Sequence, residues 1–292
     1  MIWIIGNRGM LGQELAEQLA ARGIANVGSD REVSILDPEA LRHFAQGVQK
    51  DTPIKAIVNC AAYTAVDRAE DEAELAHALN AEGPGNIAEL ARSVGARFLH
   101  ISTDYVFSGA ASQPYREDDP IGPTGVYGRT KAEGETRVRE ACPDAVIIRT
   151  AWLYGKYGPN FVATMLRLMR ERTELGVVAD QRGTPTWARD LALAIIAALT
   201  APEWKPGIYH YTNEGETTWY EFACEIYAQG RARSLLPHEV TIRALTTDQY
   251  PTKAKRPAYS VLSKEKIKRT FGLEIPYWKA SLKQYVGSDP IS

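Results

Sequence analysis

The chain has 292 residues, with 34 Lys and Arg against 36 Asp and Glu, a formal charge of −2. That length accommodates one large α/β domain or two modest ones, each able to bury a core, and 45% hydrophobic with 24% charged residues excludes a disordered, collagen-like or coiled-coil chain. The balanced charge leaves no basic face of the kind duplex nucleic acid demands, so no nucleic-acid partner is expected.

The opening Met1-Ile2-Trp3-Ile4-Ile5 is apolar, lacks a basic leader and runs straight into glycine, which reads as a buried first strand rather than a signal peptide. Leu11, Leu15 and Leu19 then recur at helical spacing until Gly23, predicting strand, glycine turn, helix. A second strand is predicted at Ile24 to Val27, a helix at Pro38 to Phe44 and a buried strand at Ala56 to Cys60. A helix around Asp71 to Leu79 follows, then the helical pattern Ile87, Leu90, Ala91, Val94, a strand at Phe98 to Ser102 and another at Val146 to Ile148. Gly83-Pro84-Gly85 falls between two helical patterns, where the local rule either ends a helix or kinks it.

Continuous apolar strands alternating with helices imply a parallel sheet covered on both faces, a Rossmann-type doubly wound α/β fold. After residue 150 tryptophan, proline and tyrosine become frequent. Helices are predicted at Phe161 to Arg172, Ala188 to Thr200 and Tyr220 to Ala228, and a strand at Ile208 to Tyr211. A smaller α/β lobe over the carboxyl edge of the sheet, where ligands bind in such folds, accounts for this shift. The expected division assigns 1–150 and about 174–203 to the dinucleotide-binding domain, and about 151–173 and 204–292 to the lobe. The run Leu191 to Leu199 is less than half the roughly 20 residues a membrane helix needs, so no membrane association is expected. Cys60, Cys142 and Cys224 form no CxxC pair, consistent with a reducing compartment and no structural zinc.

Three features carry chemistry. The first is Gly6-Asn7-Arg8-Gly9-Met10-Leu11-Gly12 between the first strand and helix. Its glycines allow a tight turn, approach of a pyrophosphate to backbone N–H groups, and close helix-to-sheet packing. Near the end of the second strand Asp30 could hold a ribose 2′-OH, whereas Arg31, with Arg8, could face a 2′-phosphate; Asp30 reads equally well as a solvated turn residue. The second is Tyr127-Gly128-Arg129-Thr130-Lys131, a phenol and an ammonium on one helix face. A cation near a phenol makes it a usable acid or base, although YxxxK alone is better read as a surface pair. The third is Ser102-Thr103-Asp104 at a buried strand's end, whose hydroxyls could hydrogen-bond the oxygen that Tyr127 protonates.

In that order and spacing these features resemble the extended short-chain dehydrogenase/reductase family. More narrowly, Asn59-Cys60-Ala61-Ala62-Tyr63-Thr64-Ala65-Val66-Asp67, Ser102 to Gly109, Arg149-Thr150-Ala151-Trp152-Leu153-Tyr154-Gly155, Asn160-Phe161, Asp180 to Thr186 and Arg256-Pro257 resemble the dTDP-4-dehydrorhamnose reductase family across most of the chain. The resemblance implies that Tyr127 protonates a C4 keto oxygen, that Thr103 hydrogen-bonds the sugar oxygen, and that Lys131 binds the nicotinamide ribose and biases Tyr127. It places Asp104, Tyr105 and Trp152 near the sugar, Ala61, Ala62 and Tyr63 along the cofactor channel, and Asn80 in support of Lys131. NADPH is the expected cofactor, with NADH as the alternative.

Related dehydratases carry Asp-Glu after the threonine, but here Asp104 is followed by Tyr105, favouring reduction without dehydration. Some members of the reductase family bridge a dimer through magnesium. Glu14 matches one such ligand, but Arg189 stands where a second is expected, so no metal site is expected and the state is a monomer or weak homodimer. His43, His77, His100, His210 and His238 show no paired spacing and read as structural or surface residues. Lys253-Ala254-Lys255-Arg256 reads either as a solvated loop or as a diphosphate clamp led by Arg256. The late tryptophans other than Trp152 read as lobe core.

The expected activity is cytoplasmic reduction of the nucleotide sugar dTDP-4-dehydro-6-deoxy-L-mannose to dTDP-L-rhamnose for cell-surface polysaccharide. The alternatives are another nucleotide-sugar ketoreductase or epimerase, or a non-catalytic NADP-binding regulatory subunit.

Overall fold

The structure is a computed structural model that describes residues 1–50 and 52–288. Its first half runs β1 (Ile2–Ile5), α1 (Met10–Ala20), β2 (Asn26–Ser29), α2 (Pro38–Gln49), β3 (Ala56–Asn59), α3 (Val66–Ala69), α4 (Ala73–His77), a π-helical turn (Ala78–Glu82), α5 (Gly83–Ser93), β4 (Arg97–Thr103), a 3₁₀ turn (Asp104–Val106), α6 (Val126–Ala141) and β5 (Val146–Thr150). The second half continues with β6 (Leu153–Tyr154), α7 (Phe161–Glu171), β7 (Glu174–Val178), β8 (Arg182–Gly183), β9 (Thr186–Trp187), α8 (Ala188–Thr200), β10 (Gly207–His210), β11 (Thr217–Thr218), α9 (Trp219–Ala232), β12 (Thr241–Leu245), α10 (Glu265–Phe271) and α11 (Trp278–Gly287).

Six strands form one parallel sheet in the order β10-β5-β4-β3-β1-β2. Alternate residues of each strand face opposite layers. Ile2, Ile4, Val58, Leu99 and Ile148 pack with Leu11, Leu15 and Leu19 of α1 and Leu191 and Ile195 of α8. On the other face Trp3, Ile5, Ile57, Phe98 and Ile147 meet Leu41 of α2, Ile87 and Ala91 of α5 and Val138 of α6. The chain leaves β1 toward β2 on one side and returns to β3 on the other. That reversal opens a crevice at the carboxyl ends of β1 and β3.

The second strand begins two residues later than expected. Gly23 adopts φ +67° and the Ile24 N–H donates to Leu19 O at 3.0 Å, so Ile24 closes the C-terminus of α1 as its apolar cap instead of entering the sheet.

Gly83-Pro84-Gly85 neither ends nor interrupts the helix, which runs from Ala73 to Ser93 through the π turn. A proline ring collides with the carbonyl four residues back, here that of Asn80. The widened turn moves that carbonyl aside and presses it toward α6, where a Cβ added to Gly134 would lie 2.0 Å from Asn80 O.

Two stretches fall outside the expected division. β10, assigned to the lobe, is the edge strand of the main sheet, paired with β5 from Gly207 opposite Val146 to His210 opposite Arg149. β7, assigned to the dinucleotide-binding part, pairs only with β12, and its Leu175 and Val177 join the lobe core of Val162, Leu166, Trp187, Phe222, Ile226, Trp278 and Leu282. The tryptophans are not all lobe core either: Trp204 packs at the margin of the sheet core, and its Nε1 donates to Asp144 O at 2.6 Å.

Candidate active site

The glycine turn after β1 has the shape a pyrophosphate requires. Gly6 sits at φ +79°, and a Cβ there would lie 2.7 Å from Ala61 N. A Cβ on Gly12 would lie 2.2 Å from Gly6 O and 2.7 Å from Asn7 Cα, so α1 can start this close to β1 only without a side chain. Gly9, the N-cap, supplies no side-chain hydrogen bond, which leaves the first-turn N–H groups beside Met10 and Leu11 to an incoming anion. The buried Asn7 Oδ1 also has no protein partner.

Asp30 caps this turn. Its Oδ2 accepts from Arg8 N–H at 3.2 Å and its Oδ1 from Arg31 N–H at 2.9 Å. Arg8 and Arg31 are exposed, and Arg8 pairs with Glu32 at 3.5 Å. The Asp30 side chain thus joins the β1 turn to the end of β2 through exposed hydrogen bonds, with Arg8 and Arg31 beside it, an arrangement that suits a turn residue and a ribose contact alike.

At the end of β3, Ala61, Ala62 and Tyr63 line the crevice partly buried. The Asn80 side chain, on the π turn, fixes them: Oδ1 accepts from Tyr63 N–H at 2.8 Å, and Nδ2 donates to Tyr63 O at 3.1 Å and to Thr130 Oγ1 at 3.2 Å. Asn80 thus ties the β3 loop to α6 one residue before Lys131.

Tyr127, Lys131 and Glu135 follow one another at i, i+4 and i+8 along α6, one face of the helix. Burial pushes the Tyr127 phenol above its ordinary range, the neighbouring Thr103 hydroxyl pulls it back in part, and the Asp104 carboxylate and Tyr105 phenol push it further up. Lys131 is not among the groups acting on it. Its Nζ donates to Ile101 O at 2.7 Å and lies 3.3 Å from His100 Nε2, and burial lowers it to about 8. In this arrangement Lys131 Nζ is turned to the backbone and imidazole of β4.

Thr103 ends β4 and donates through Oγ1 to Asp104 Oδ1 at 3.0 Å. Asp104 is 2% exposed, its Oδ2 has no partner, and burial raises it to about 6 against the hydroxyls of Thr103 and Ser260. Tyr105 meets Tyr127 edge to face at 5.4 Å.

Arg256 departs from both readings of its loop. Its Nη1 donates to Tyr105 Oη at 2.9 Å and its Nη2 pairs with Asp67 at 2.6 Å, while Lys253 pairs with Asp71. The loop is thereby strapped onto α3, and Arg256 is committed to a phenol and a carboxylate beside Tyr127.

Trp152, at φ +47°, stacks on Trp219 at 3.6 Å and 13°. A Cβ on Gly183 would lie 2.6 Å from the Trp152 ring and 2.9 Å from Ser260 Oγ, so this indole wall stands beside the Asp104 pocket.

Sequence reasoning missed the groups beneath the site. Glu135 takes Arg149 Nη2 at 2.7 Å, Arg149 Nε at 2.8 Å and the Ser102 hydroxyl at 2.5 Å, all buried. Arg149 also faces His210 Nε2 at 3.4 Å. Asn59 and Ser260 were given no role, His100 reads in the sequence as a structural or surface residue, and Trp219 as lobe core. Only Glu135 carried a signal, the third step of the Tyr127, Lys131 helix stripe. Among the described residues no cluster of three or more His, Cys, Asp or Glu could hold a metal ion, and no helix is long and apolar enough to cross a membrane.

A switch-point glycine cradle facing a Thr-Tyr-Lys set on β4 and α6 defines an extended short-chain dehydrogenase/reductase, a nicotinamide-dependent oxidoreductase class. Within it the chain belongs to the RmlD substrate binding domain family, which it matches over residues 1–289. A Streptomyces griseus protein named dTDP-4-dehydrorhamnose reductase is 46% identical over 289 residues, 97% of this chain and 92% of that one. The Bacillus subtilis spore coat polysaccharide biosynthesis protein SpsK is 41% identical over 286 residues, covering 98% and 96%. The crystal structure of a dTDP-4-dehydrorhamnose reductase from Bacillus anthracis in complex with NADP superposes with a TM-score of 0.91 at 36% identity, covering 99% of each chain.

Proposed function

We propose that this chain reduces the C4 keto group of dTDP-4-dehydro-6-deoxy-L-mannose to give dTDP-L-rhamnose, using NADPH with NADH as the alternative. The observation that carries the reading is the Tyr127 phenol, pushed up by burial and packed edge to face on Tyr105 next to Thr103 at the carboxyl end of β4, in a chain this similar to the named reductases.

The Gly6–Gly12 turn and the first N–H groups of α1 would hold the pyrophosphate, Asp30, Arg31 and Arg8 the adenosine ribose and its substituent, and Lys131 the nicotinamide ribose. When bound, the dinucleotide supplies hydride to C4. Tyr127 gives its proton to the oxygen as negative charge develops there, and Thr103 Oγ1, turning its one hydrogen from Asp104 Oδ1, would donate to the same atom, lowering the energy of the oxyanion. A high-pKa phenol suits the task, since it remains a proton donor at neutral pH and its proton leaves only for an alkoxide more basic than itself. Asp104 and Tyr105 would orient the sugar, and Trp152 would cover its apolar face. Arg256 acts through its bond to Tyr105. A cytoplasmic place of work and a monomer or weak homodimer complete the reading.

The test follows NADPH and NADH oxidation with dTDP-4-dehydro-6-deoxy-L-mannose for wild type and Tyr127→Phe. Loss of the proton donor lowers turnover by about 10² to 10⁴ with NADPH affinity little changed. Tight NADPH binding without turnover of this sugar overturns the substrate assignment, and undiminished turnover by Tyr127→Phe overturns the role of the phenol.

A further inference from the structure

His100 is fully buried in the middle of β4, and its hydrogen bonds determine which ring nitrogen carries the proton. Asn59 Oδ1 accepts from Ala61 N–H at 3.0 Å, so the Asn59 amide nitrogen is the end turned to His100 Nδ1, 3.1 Å away. An amide nitrogen only donates, so Nδ1 is the acceptor, and a neutral imidazole in that state bears its hydrogen on Nε2. Burial holds His100 well below its ordinary range, hence neutral. Nε2–H therefore points at Lys131 Nζ, 3.3 Å away. An ammonium has three donors and no lone pair, so it cannot accept that hydrogen; an amine can, while still donating to Ile101 O.

We propose that His100, oriented by Asn59, is a positioning residue that holds Lys131 as a neutral amine while Nζ rests on Nε2, so that moving Nζ to the nicotinamide ribose takes up one proton from solvent. This rests on the role given to Lys131 in the proposed function. Of the other groups near Nζ, the Glu135 carboxylate one turn along α6 and Cys60 at the end of β3 act against the amine, but Glu135 is engaged by Arg149 and Ser102 and Cys60 is raised by burial to about 12, an uncharged thiol. Burial lowers Lys131 to about 8, so the amine is the major form above that pH, where the proton count is read. The consequence is a cofactor site in which proton uptake accompanies binding, delivering the positive charge where it stabilises a ribose-bound, anion-forming site.

The test has two readouts besides activity. Ring ¹⁵N spectra of the protein without dinucleotide, assigned by the signal lost in His100→Phe, report the tautomer. Calorimetric titration with NADPH in buffers of different ionisation enthalpy counts protons. Wild type is expected to show Nε2–H, to take up about 0.9 proton per NADPH at pH 9, and to bind NADPH about tenfold more weakly at pH 9 than at pH 7, as follows for a group titrating near 8. Asn59→Asp keeps the acceptor for Ala61 but presents a second acceptor to Nδ1. It should flip the ring to Nδ1–H, turn Nε2 into an acceptor for the ammonium, and cut proton uptake at pH 9 below about 0.2. His100→Phe removes the Nε2–H donor and leaves the Ile101 carbonyl against Nζ, so uptake at pH 9 should fall below that of wild type by the share that this contact contributes, which covers the case in which Asn59→Asp does not fold. An Nδ1–H tautomer in wild type, uptake near zero at pH 9, or uptake unchanged in the variants overturns the proposal. If NADPH fails to bind at all, the functional reading falls with the uptake half, and the tautomer still decides whether His100 holds Lys131 as an amine.

Discussion

Asp104 stands buried beside Thr103 with one carboxyl oxygen lacking a partner, and its charge is a stability cost that Asp104→Asn removes. Its pKa rises from 3.8 to about 6 on folding, so between those values the folded state binds more protons than the unfolded one. Stability attributable to the group is fully present below 3.8 and is lost as pH rises through about 6. Integrating the two titrations, the penalty is about 1 kcal/mol at pH 4.5 and about 3 kcal/mol at pH 7.5. Asparagine brings its own cost for an amide with an unmet hydrogen bond, but that cost does not change with pH. The difference between pH values therefore isolates the charge. Urea unfolding of wild type and Asp104→Asn at pH 4.5 and 7.5 should show the variant gaining about 2 kcal/mol relative to wild type over that interval. A difference between the proteins that is the same at both pH values refutes the reasoning, because it places the carboxylate in an environment no less polar than water.

Gly12→Ala should abolish saturable NADPH binding at concentrations that saturate wild type, because the new methyl would lie 2.2 Å from Gly6 O; titration of NADPH fluorescence checks it, and a Kd within twofold of wild type contradicts the cradle. Glu135→Leu leaves the Arg149 guanidinium buried against only Glu117 O and His210 Nε2 and should cost about 3–5 kcal/mol in urea unfolding, most of it recovered in Glu135→Leu/Arg149→Met; a double variant as unstable as the single one refutes this. Trp219→Ala removes the stacked support of Trp152, and a stack worth about 0.5–1.5 kcal/mol predicts a roughly 2- to 10-fold rise in KM for the nucleotide sugar with NADPH affinity unchanged; steady-state kinetics distinguish this from a purely structural role.

What was legible in the sequence was whatever depended on local periodicity or on a motif whose chemistry is local. The helix at Ala188–Thr200 matched to the residue, and the glycine turn and Thr103 stand at the ends of β1 and β4 as the strand pattern predicts, with Tyr127 and Lys131 one turn apart on α6. Misreadings arose where a distant partner decides. Ile208 to Tyr211 reads as a strand of either lobe until its pairing with β5 is known. Pro84 reads as a breaker because the π turn that accommodates it depends on Gly134, fifty residues on. His100 has no sequence neighbour that betrays it, since Asn59 and Lys131 reach it from β3 and α6. Arg256 carries a phosphate-binding side chain, and only the tertiary approach of Asp67 and Tyr105 shows how it is used.

The edge strand β10 also orders events during synthesis. β5 is complete at Thr150, but the strand that covers its open side begins at Gly207, so a growing chain presents the unpaired N–H and C=O groups of Val146–Arg149 to other nascent chains until the ribosome has made and released the intervening lobe segment. Such an uncovered, apolar parallel edge is a template for wrong pairing. A chain truncated before residue 207 would retain every residue of the glycine turn and of the Thr-Tyr-Lys set yet lack this cover, and aggregation on release, rather than loss of any chemical group, would be its characteristic failure.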